Sequence, residues 1–292
     1  MNPVVWVILV NYRGASDTIE CVDSLNRYAH FAKILIVENG SGDGSAGLIR
    51  SAHPRVHIVE SPANLGFTGG NNLAIREALA ADAEYIWLLN NDTIVEPGAL
   101  AELLSVSRQD SSIGILSPRI DYYDAPGAPW FVGSRLDLEQ GEAVHDNAHV
   151  PTNVIDVPWI TGCAMFCRAE MLRQTGGFDD RYFLNWEDVD LSLRAIKLGW
   201  RLKLAPDAVI RHKIGRSQSK VSRQATYYWT RNRLLLTSTY GSELASQFVR
   251  RNNYWRALRS LWRLEDGAWG RLLATRQASY DARRGRFGAL AG

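Results

Sequence analysis

Asn90, Asn91 and Asp92 end an apolar run, Tyr85–Leu89, in the stretch LLNNDTIV. Two readings compete for them. Asn and Asp favour turns because their side chains hydrogen-bond nearby backbone. A carboxylate at the end of a buried strand can also hold a divalent ion. Magnesium often takes one or two protein carboxylates and completes its shell with substrate phosphates. Asp92 is the one carboxylate of the motif. His212 is a candidate second ligand, since imidazole suits manganese-type ions better than magnesium. A histidine after a strand can equally be structural. Glu187 and Asp188 form the second chemical candidate, opening a helical stretch beside Tyr182, Phe183 and Trp186. Acids at a helix start complement its dipole. The functional alternative makes one of the pair a general base. Asp190 faces away from Asp188 and reads as a plain helix-start acid. No Ser/His or Cys/His nucleophile pair stands out. Cys21, Cys163 and Cys167 offer neither zinc-ligand spacing nor a pair that could bridge.

The elements that must position these residues follow from periodicity. VVWVILV is a continuous apolar run, as for a strand buried on both faces. SDTIECVDSLNRYA follows at helical period, with Ser16 as the expected cap. Then come strand KILIVEN, turn GSGDGS, a helix to about residue 52, strand VHIVES, a Gly/Asn-rich loop, helix NNLAIREALAA and strand YIWLLN. Pro97 is expected in the first turn of another helix. Residues 121–158 read as loop-rich. EDVDLSLRAIKL reads as a helix, and Lys203–His212 as two short strands around Pro206. Repeated strand–helix units predict an α/β fold with a parallel sheet between helices. Sites in such sheets lie outside the carboxyl ends of the strands. Asn11-Tyr12, Glu38-Asn39 and Asn90-Asn91-Asp92 all end strands, so three polar clusters share one edge. That placement favours a ligand over three unrelated turns.

The 292 residues suffice for one large domain or two small ones, and 46% hydrophobic with 22% charged residues is ordinary for a globular chain. The run Val4–Val10 is too short for a signal segment or a membrane span, so a cytoplasmic protein is expected. The net charge of +2 hides an asymmetry. Residues 1–210 carry 16 Lys and Arg against 27 Asp and Glu, and residues 211–292 carry 17 against 4. A basic tail suits an anionic partner. The duller alternative lays the tail across the acidic body.

VILVNYRG, IVENGSGDGS, NLGFTGGNN, LLNNDTIV, TGCAMFCRAEML…GGFDDRYFLNWEDVDLSLR and IRHKIGRS stand in the order and spacing of glycosyltransferase family 2. The chain resembles that family over about residues 4–240. With YYWTRNRLLL it looks most like the bacterial rhamnosyltransferases. The resemblance implies the GT-A fold, a Rossmann-like, mostly parallel sheet with flanking helices. It implies a catalytic domain over 1–220 (nucleotide-sugar half about 1–120, acceptor half about 121–220) and a basic helical extension over 221–292. It also implies an inverting transfer from a nucleoside diphosphate sugar, dTDP-rhamnose favoured and a UDP-hexose second, to a glycan or lipid-linked acceptor in envelope polysaccharide synthesis. Asn11 and Glu38 would hold base and ribose, with Tyr12, Asn39 and Asp43 nearby. Asn64, Gly66, Phe67 and Asn71 would line the nucleotide loop. Asn90, Asn91 and Asp92 stand where the family has Asp-x-Asp. Asn90 departs from that pattern, so binding of Mg2+ or Mn2+ leans on Asp92 and His212. Asp188, with Glu187, matches the acidic pair that supplies the base. Thr161, Gly162, Cys163 and Trp186 would flank the acceptor.

Two rival classes share parts of this pattern. A sugar nucleotidyltransferase would be expected to carry a Gly-rich, basic loop straight after the first strand, where this chain has only NYRGASD. A non-catalytic carbohydrate-binding module would need no metal candidate and no acidic pair together. The tail raises its own question. Leu244 to Leu264 reads as one helix, with Phe248, Trp255 and Trp262 every seven residues and Leu244 and Leu258 alongside. Arg256, Arg259 and Arg263 form a basic flank. Such a helix can lie on an anionic membrane, here the inner face of the cell membrane. It can also pack on the body, or pair with its twin in a homodimer. Nothing points to nucleic acid.

Overall fold

The computed structural model describes residues 3–214 and 222–290. The first half alternates as expected: β1 (Val5–Asn11), α1 (Ala15–Tyr28), β2 (Lys33–Asn39), α2 (Ser45–Ala52), β3 (His57–Ser61), α3 (Gly66–Ala80), β4 (Tyr85–Asn90), a short β5 (Thr93–Val95) and α4 (Ala99–Gln109). β1 is buried on both faces, and it pairs in parallel with β2 and β4. Three boundaries differ from the sequence reading. α1 starts behind Gly14 rather than Ser16, which falls inside its first turn. α3 starts at Gly66, so the second half of the Gly/Asn-rich stretch is helix and not loop. Pro97 lies before α4, which begins after Gly98 in a left-handed conformation (φ 81°) that glycine adopts freely.

The second half extends the same sheet: β6 (Ile113–Tyr122), β7 (Ala125–Phe131), β8 (Gly133–Asp137), β9 (Glu142–Asp146), β10 (Ile155–Asp156), β11 (Ala164–Arg168), α5 (Ala169–Thr175), α6 (Glu187–Lys197) and β12 (Arg201–His212). The stretch 121–158, expected as loop, thus holds four short strands and the end of a fifth. The main sheet runs β10-β12-β6-β11-β4-β1-β2-β3, with β5 on β12 and β7 on β6, while β8 and β9 pair separately. β12 is one strand, not two. It runs through Pro206 and absorbs it where its register with β6 slips between Ala205 and Val209. β11 is antiparallel to both β4 and β6, so β12 runs the same way as β4 and β1. Asn11, Glu38, Asn90 and His212 therefore end at one edge.

Three helices follow: α7 (Arg223–Tyr240), α8 (Glu243–Trp262) and α9 (Ala268–Arg283). Ser222 and Ser242 cap the first two, each accepting from an N–H three residues on. α7 packs Tyr227 and Tyr228 with Phe183, and Leu235 and Leu236 with Tyr182 and Trp186. The expected boundary at 220–221 lies outside the described residues, as do Gly215, Arg216 and Ser217 of the last motif. α8 inverts the usual amphipathic pattern. Its buried face carries Ala245, Val249, Asn253, Ala257 and Ser260, whereas Leu244, Phe248, Trp255, Leu258 and Trp262 are exposed. The option that this stripe packs on the body is thereby excluded.

Candidate active site

A cavity of about 390 Å3 opens at the carboxyl edge. Nine of the residues singled out from the sequence line it: Tyr12, Asn39, Asn64, Gly66, Phe67, Asn71, Asn90, Asn91 and Asp92. Asn39 shapes one wall. Its amide donates to Gly66 O and Asn64 Oδ1, and its oxygen accepts from Leu65 N. Gly66 has φ 73°, and a Cβ there would lie 2.4 Å from Phe183 O, so only glycine fits.

Asn11, Glu38 and Asp43 do not line the cavity. Asn11 is fully buried and spends its amide internally. Nδ2 donates to Glu38, and Oδ1 accepts from Gly14 N, Thr18 Oγ1 and Asn91 Nδ2. Glu38 also accepts from Ser41 N. Asp43 is exposed and bonded to Ser45, whose hydroxyl and N–H hold its carboxyl below the usual range. Asn11 and Glu38 thus lie behind the cavity wall, tied to it through Asn91.

The turn reading of the opening motif holds. Thr93 Oγ1 donates to Asn90 O, which makes the turn. That turn aims Asp92 Oδ1 at His212 Nε2, 3.1 Å away, across the β5–β12 pairing. Lys213 N donates to Asp92 O, and Lys213 Nζ is buried against Asp17 (2.8 Å) and Glu20 (2.6 Å), which ties the end of β12 to α1. Burial opposes a charge on His212 but is outweighed by Cys163 and Asp92, so its pKa rises. Burial keeps the Cys163 thiol itself neutral. With that thiol neutral, the hydrogen bond to Asp92 is what favours a proton on the ring. The donor set suits a divalent ion: Asp92 and neutral His212 Nε2 would take it in exchange for a ring proton. Among the described residues no group of three or more His, Cys, Asp or Glu is placed to hold an ion. The remaining ligands would be phosphate oxygens and water.

The acidic pair opens α6. Asp188 Oδ2 accepts from Gly162 N and Oδ1 from Val189 N, both at 2.8 Å. Glu187 is buried, and its Oε2 has no hydrogen-bond partner among the described residues. Burial, then the Asp188 charge, push Glu187 well above the usual carboxylate range, and burial raises Asp188 as well. The two titrate together. The proton rests on Glu187, because only Asp188 has two N–H donors for its charge. Gly162 separates this carboxylate from the cavity wall: a Cβ there would lie 3.1 Å from Phe67 and 3.5 Å from Asp188. Thr161, Gly162 and Cys163 therefore run beside the carboxylate, and Cys163 O accepts from Asn90 N. Trp186, expected at the acceptor, instead packs inside a cluster with Trp159, Tyr182 and Leu236. Its bulk is needed behind the pair, where small residues would leave a void. Asp190 binds Arg194 and Tyr240, the structural role expected of it.

Phe183, Leu184, Ser222 and Gln224 also line the cavity and were not singled out as site residues. The aromatics beside Glu187 hinted at the first two. Nothing local marked Ser222 and Gln224, which arrive from the start of α7.

Residues 3–232 match the sequence profile described as "Glycosyltransferase like family 2". The chain belongs to this family. It is 27% identical over 235 residues to the N-acetylglucosaminyl-diphospho-decaprenol L-rhamnosyltransferase of Mycobacterium tuberculosis, covering 73% of this chain and 76% of that one. It is 24% identical over 247 residues to the low-salt glycan biosynthesis hexosyltransferase of Haloferax volcanii, covering 81% and 76%. Among solved structures, the mannosyltransferase PcManGT of Pyrobaculum calidifontis, in complex with GDP-Man and Mn2+, superposes with a TM-score of 0.60 at 17% identity, covering 99% of this chain and 77% of that one. The fold is GT-A, and the family 2 enzyme is a nucleotide-sugar-dependent transferase.

Two outcomes follow. Asp92→Asn should remove most divalent-ion binding and most turnover, while His212→Ala should lose less because water can replace one ligand. Calorimetry with Mn2+ and rates at limiting ion check this, and near-wild-type rates for Asp92→Asn would refute it. Second, kcat/KM should rise with pH as the raised carboxyl pair gives up its first proton and Asp188 ionises, then level off. Asp188→Asn should abolish that limb and cut turnover by about 10²–10⁴-fold, with nucleotide affinity held. A dead Glu187→Gln beside an active Asp188→Asn would reverse the two roles.

Proposed function

We propose that the enzyme transfers rhamnose from dTDP-rhamnose, with a UDP-hexose as second choice, to a hydroxyl of a lipid-linked glycan acceptor in envelope polysaccharide synthesis. The observation that carries this reading is the pairing of one cavity with two separate chemical groups. Asp92 and His212 stand where a diphosphate would need a cation, and Asp188 stands behind Gly162 on the acceptor side. The name of the mycobacterial relative supports both the sugar and a polyprenyl-diphosphate-linked acceptor. Asp188 takes the proton of the acceptor hydroxyl as its oxygen attacks the anomeric carbon. The bond from that carbon to the diphosphate breaks in the same step, so configuration inverts. Asp92 and His212 would hold a divalent ion, which would offset the charge on the leaving diphosphate. The donor is checked by titration calorimetry with dTDP, UDP and GDP: dTDP should bind tightest, and a clear preference for GDP would defeat both donors.

No helix among the described residues is long and apolar enough to cross a membrane. Contact with an anionic lipid surface is supported by α8, where Trp255 is 67% and Trp262 88% exposed. Arg251 falls in the row of Leu244 and Leu258, and Arg259 and Arg263 lie exposed beside it. Rings at headgroup level and arginines on anionic lipid suit such a face. Pairing with a twin is less favoured, because it would bring these arginines onto one another. Co-sedimentation with phosphatidylglycerol vesicles should occur at low salt, weaken as salt rises, and drop for Trp255→Ala plus Trp262→Ala. Indifference to such vesicles at low salt would eliminate lipid as the occupant.

A further inference from the structure

The segment leading into the acidic pair has an unusual backbone. Phe183, Asn185 and Trp186 all have positive φ, at 61°, 69° and 72°. Left-handed conformations are costly for bulky residues, and three in four positions persist only where the surroundings over-determine them. The same segment does two jobs. Phe183 and Leu184 form cavity wall, and Phe183 O accepts from Thr68 N on α3. Trp186 then starts α6, its carbonyl accepting the helical bond from Asp190 N.

What holds this segment comes from α7, some fifty residues later. Asn232 Nδ2 donates to Tyr182 O (2.6 Å), Leu184 O (2.8 Å) and Asn185 O (3.0 Å). One amide group, with two hydrogens, thus serves three carbonyls of one strained turn. Its orientation is set by its neighbour, since Arg231 Nε donates to Asn232 Oδ1 at 3.0 Å. A flipped amide would turn its oxygen toward carbonyl oxygens. The Arg231 guanidinium adds Nη2 bonds to Arg181 O and Tyr182 O, and an Nη1 bond to Gly288 O. It is packed against the rings of Tyr227, Tyr228 and Phe287. Both side chains are essentially solvent-free.

We propose that Asn232 and Arg231 are positioning residues: they hold the turn 181–186 in its strained form and so fix Glu187-Asp188 against Gly162 and the donor cavity. The inference rests on the reading of Asp188 as the base. It makes the C-terminal helices part of the active site rather than an appendage to it.

The neighbouring Arg233 supplies an internal control. It is equally buried on α7, but its bonds run to Gly141 O, Gln140 O, Asn252 and Asn253, away from the catalytic turn. The test compares full-length Asn232→Ala, Arg231→Lys and Arg233→Met with wild type. Hydrogen exchange should rise at least tenfold at amides 183–190 in the first two, with β1 and β4 amides unchanged. Arg231→Lys should resemble Asn232→Ala, because an ammonium cannot bond Asn232 Oδ1 and two carbonyls in the fork geometry. With the nucleotide sugar that wild type turns over best, kcat should fall ten- to a hundredfold while dTDP affinity moves less than threefold. The acid limb of the pH profile should move to lower pH as water reaches the pair. Arg233→Met should lower Tm yet keep kcat and that limb. Unchanged exchange at 183–190 in Asn232→Ala would overturn the proposal by itself, whatever the donor proves to be. So would an equal loss of kcat in Asn232→Ala and Arg233→Met at matched Tm loss, since the clamp would then be stability alone. A wild type that turns over no nucleotide sugar but shows the exchange pattern would instead count against the role of Asp188, leaving the clamp standing.

Discussion

A buried amide cannot be left unbonded: an unpaired polar group in the interior costs more than a made hydrogen bond returns. Asn11 sits under that constraint at the end of β1, with no access to water. Its bonds to Glu38, Gly14, Thr18 and Asn91 join the ends of β1, β2 and β4 to the start of α1. Asn91 is held again by Thr18 Oγ1 at 2.8 Å. The direction in which Asp92 points follows from this knot, because Asp92 is the next residue along. A leucine at position 11 would remove all four of these bonds at once, so the knot would loosen and the proposed ion site with it.

The parallel core was legible because β1, β2 and β4 are covered on both faces and read as apolar runs. The gathering of Asn11, Glu38, Asn90 and Asp92 on one edge was legible for the same reason, since parallel strands bring their carboxyl ends together. The edge strands were hidden. β7 carries Pro126, Gly127 and Pro129, residues that signal turns, yet it pairs with β6 at the rim where missing donors are tolerated. Pro206 misled in the same way, since a slipped register lets one strand pass through it. In α8 the seven-residue stripe was legible but its direction was not: periodicity marks an apolar face without saying whether anything covers it. The cavity wall at Phe183, Leu184 and Gln224 depends on segments far apart in sequence, which no local spacing reveals.

The charge asymmetry also resolves into particular contacts. Only part of the basic tail meets the body. Arg256 reaches Glu142 at 4.0 Å and lies over Trp229, while Arg251, Arg259 and Arg263 stay exposed. Surface pairs of this kind contribute little, so they cannot be what fixes α8 in place. Packing of its small residues on α7 and α9 does that. The acids of the body are not spread evenly either. Lys213 takes Asp17 and Glu20, and Arg194 takes Asp190. Among the described residues, Asp92 and Asp188 are left without such a Lys or Arg partner, which suits the roles proposed for them.

Those two groups need opposite surroundings. Asp92 must meet a cation in a polar, phosphate-accessible place, so it sits on a turn at the cavity wall. A base must hold its proton affinity up near neutrality, which requires burial. Burying a carboxyl pair at a helix start invites the helix to shift and let water in. The strained turn before α6 resists this only while something rigid grips its carbonyls. Side chains from α7 do so, while α3 holds the same turn through Thr68 N and lines the cavity. With Asp188 as the proposed base, the chain must run past its sheet and return before that base is in position, which gives the sheet and the C-terminal helices a physical reason to fold together.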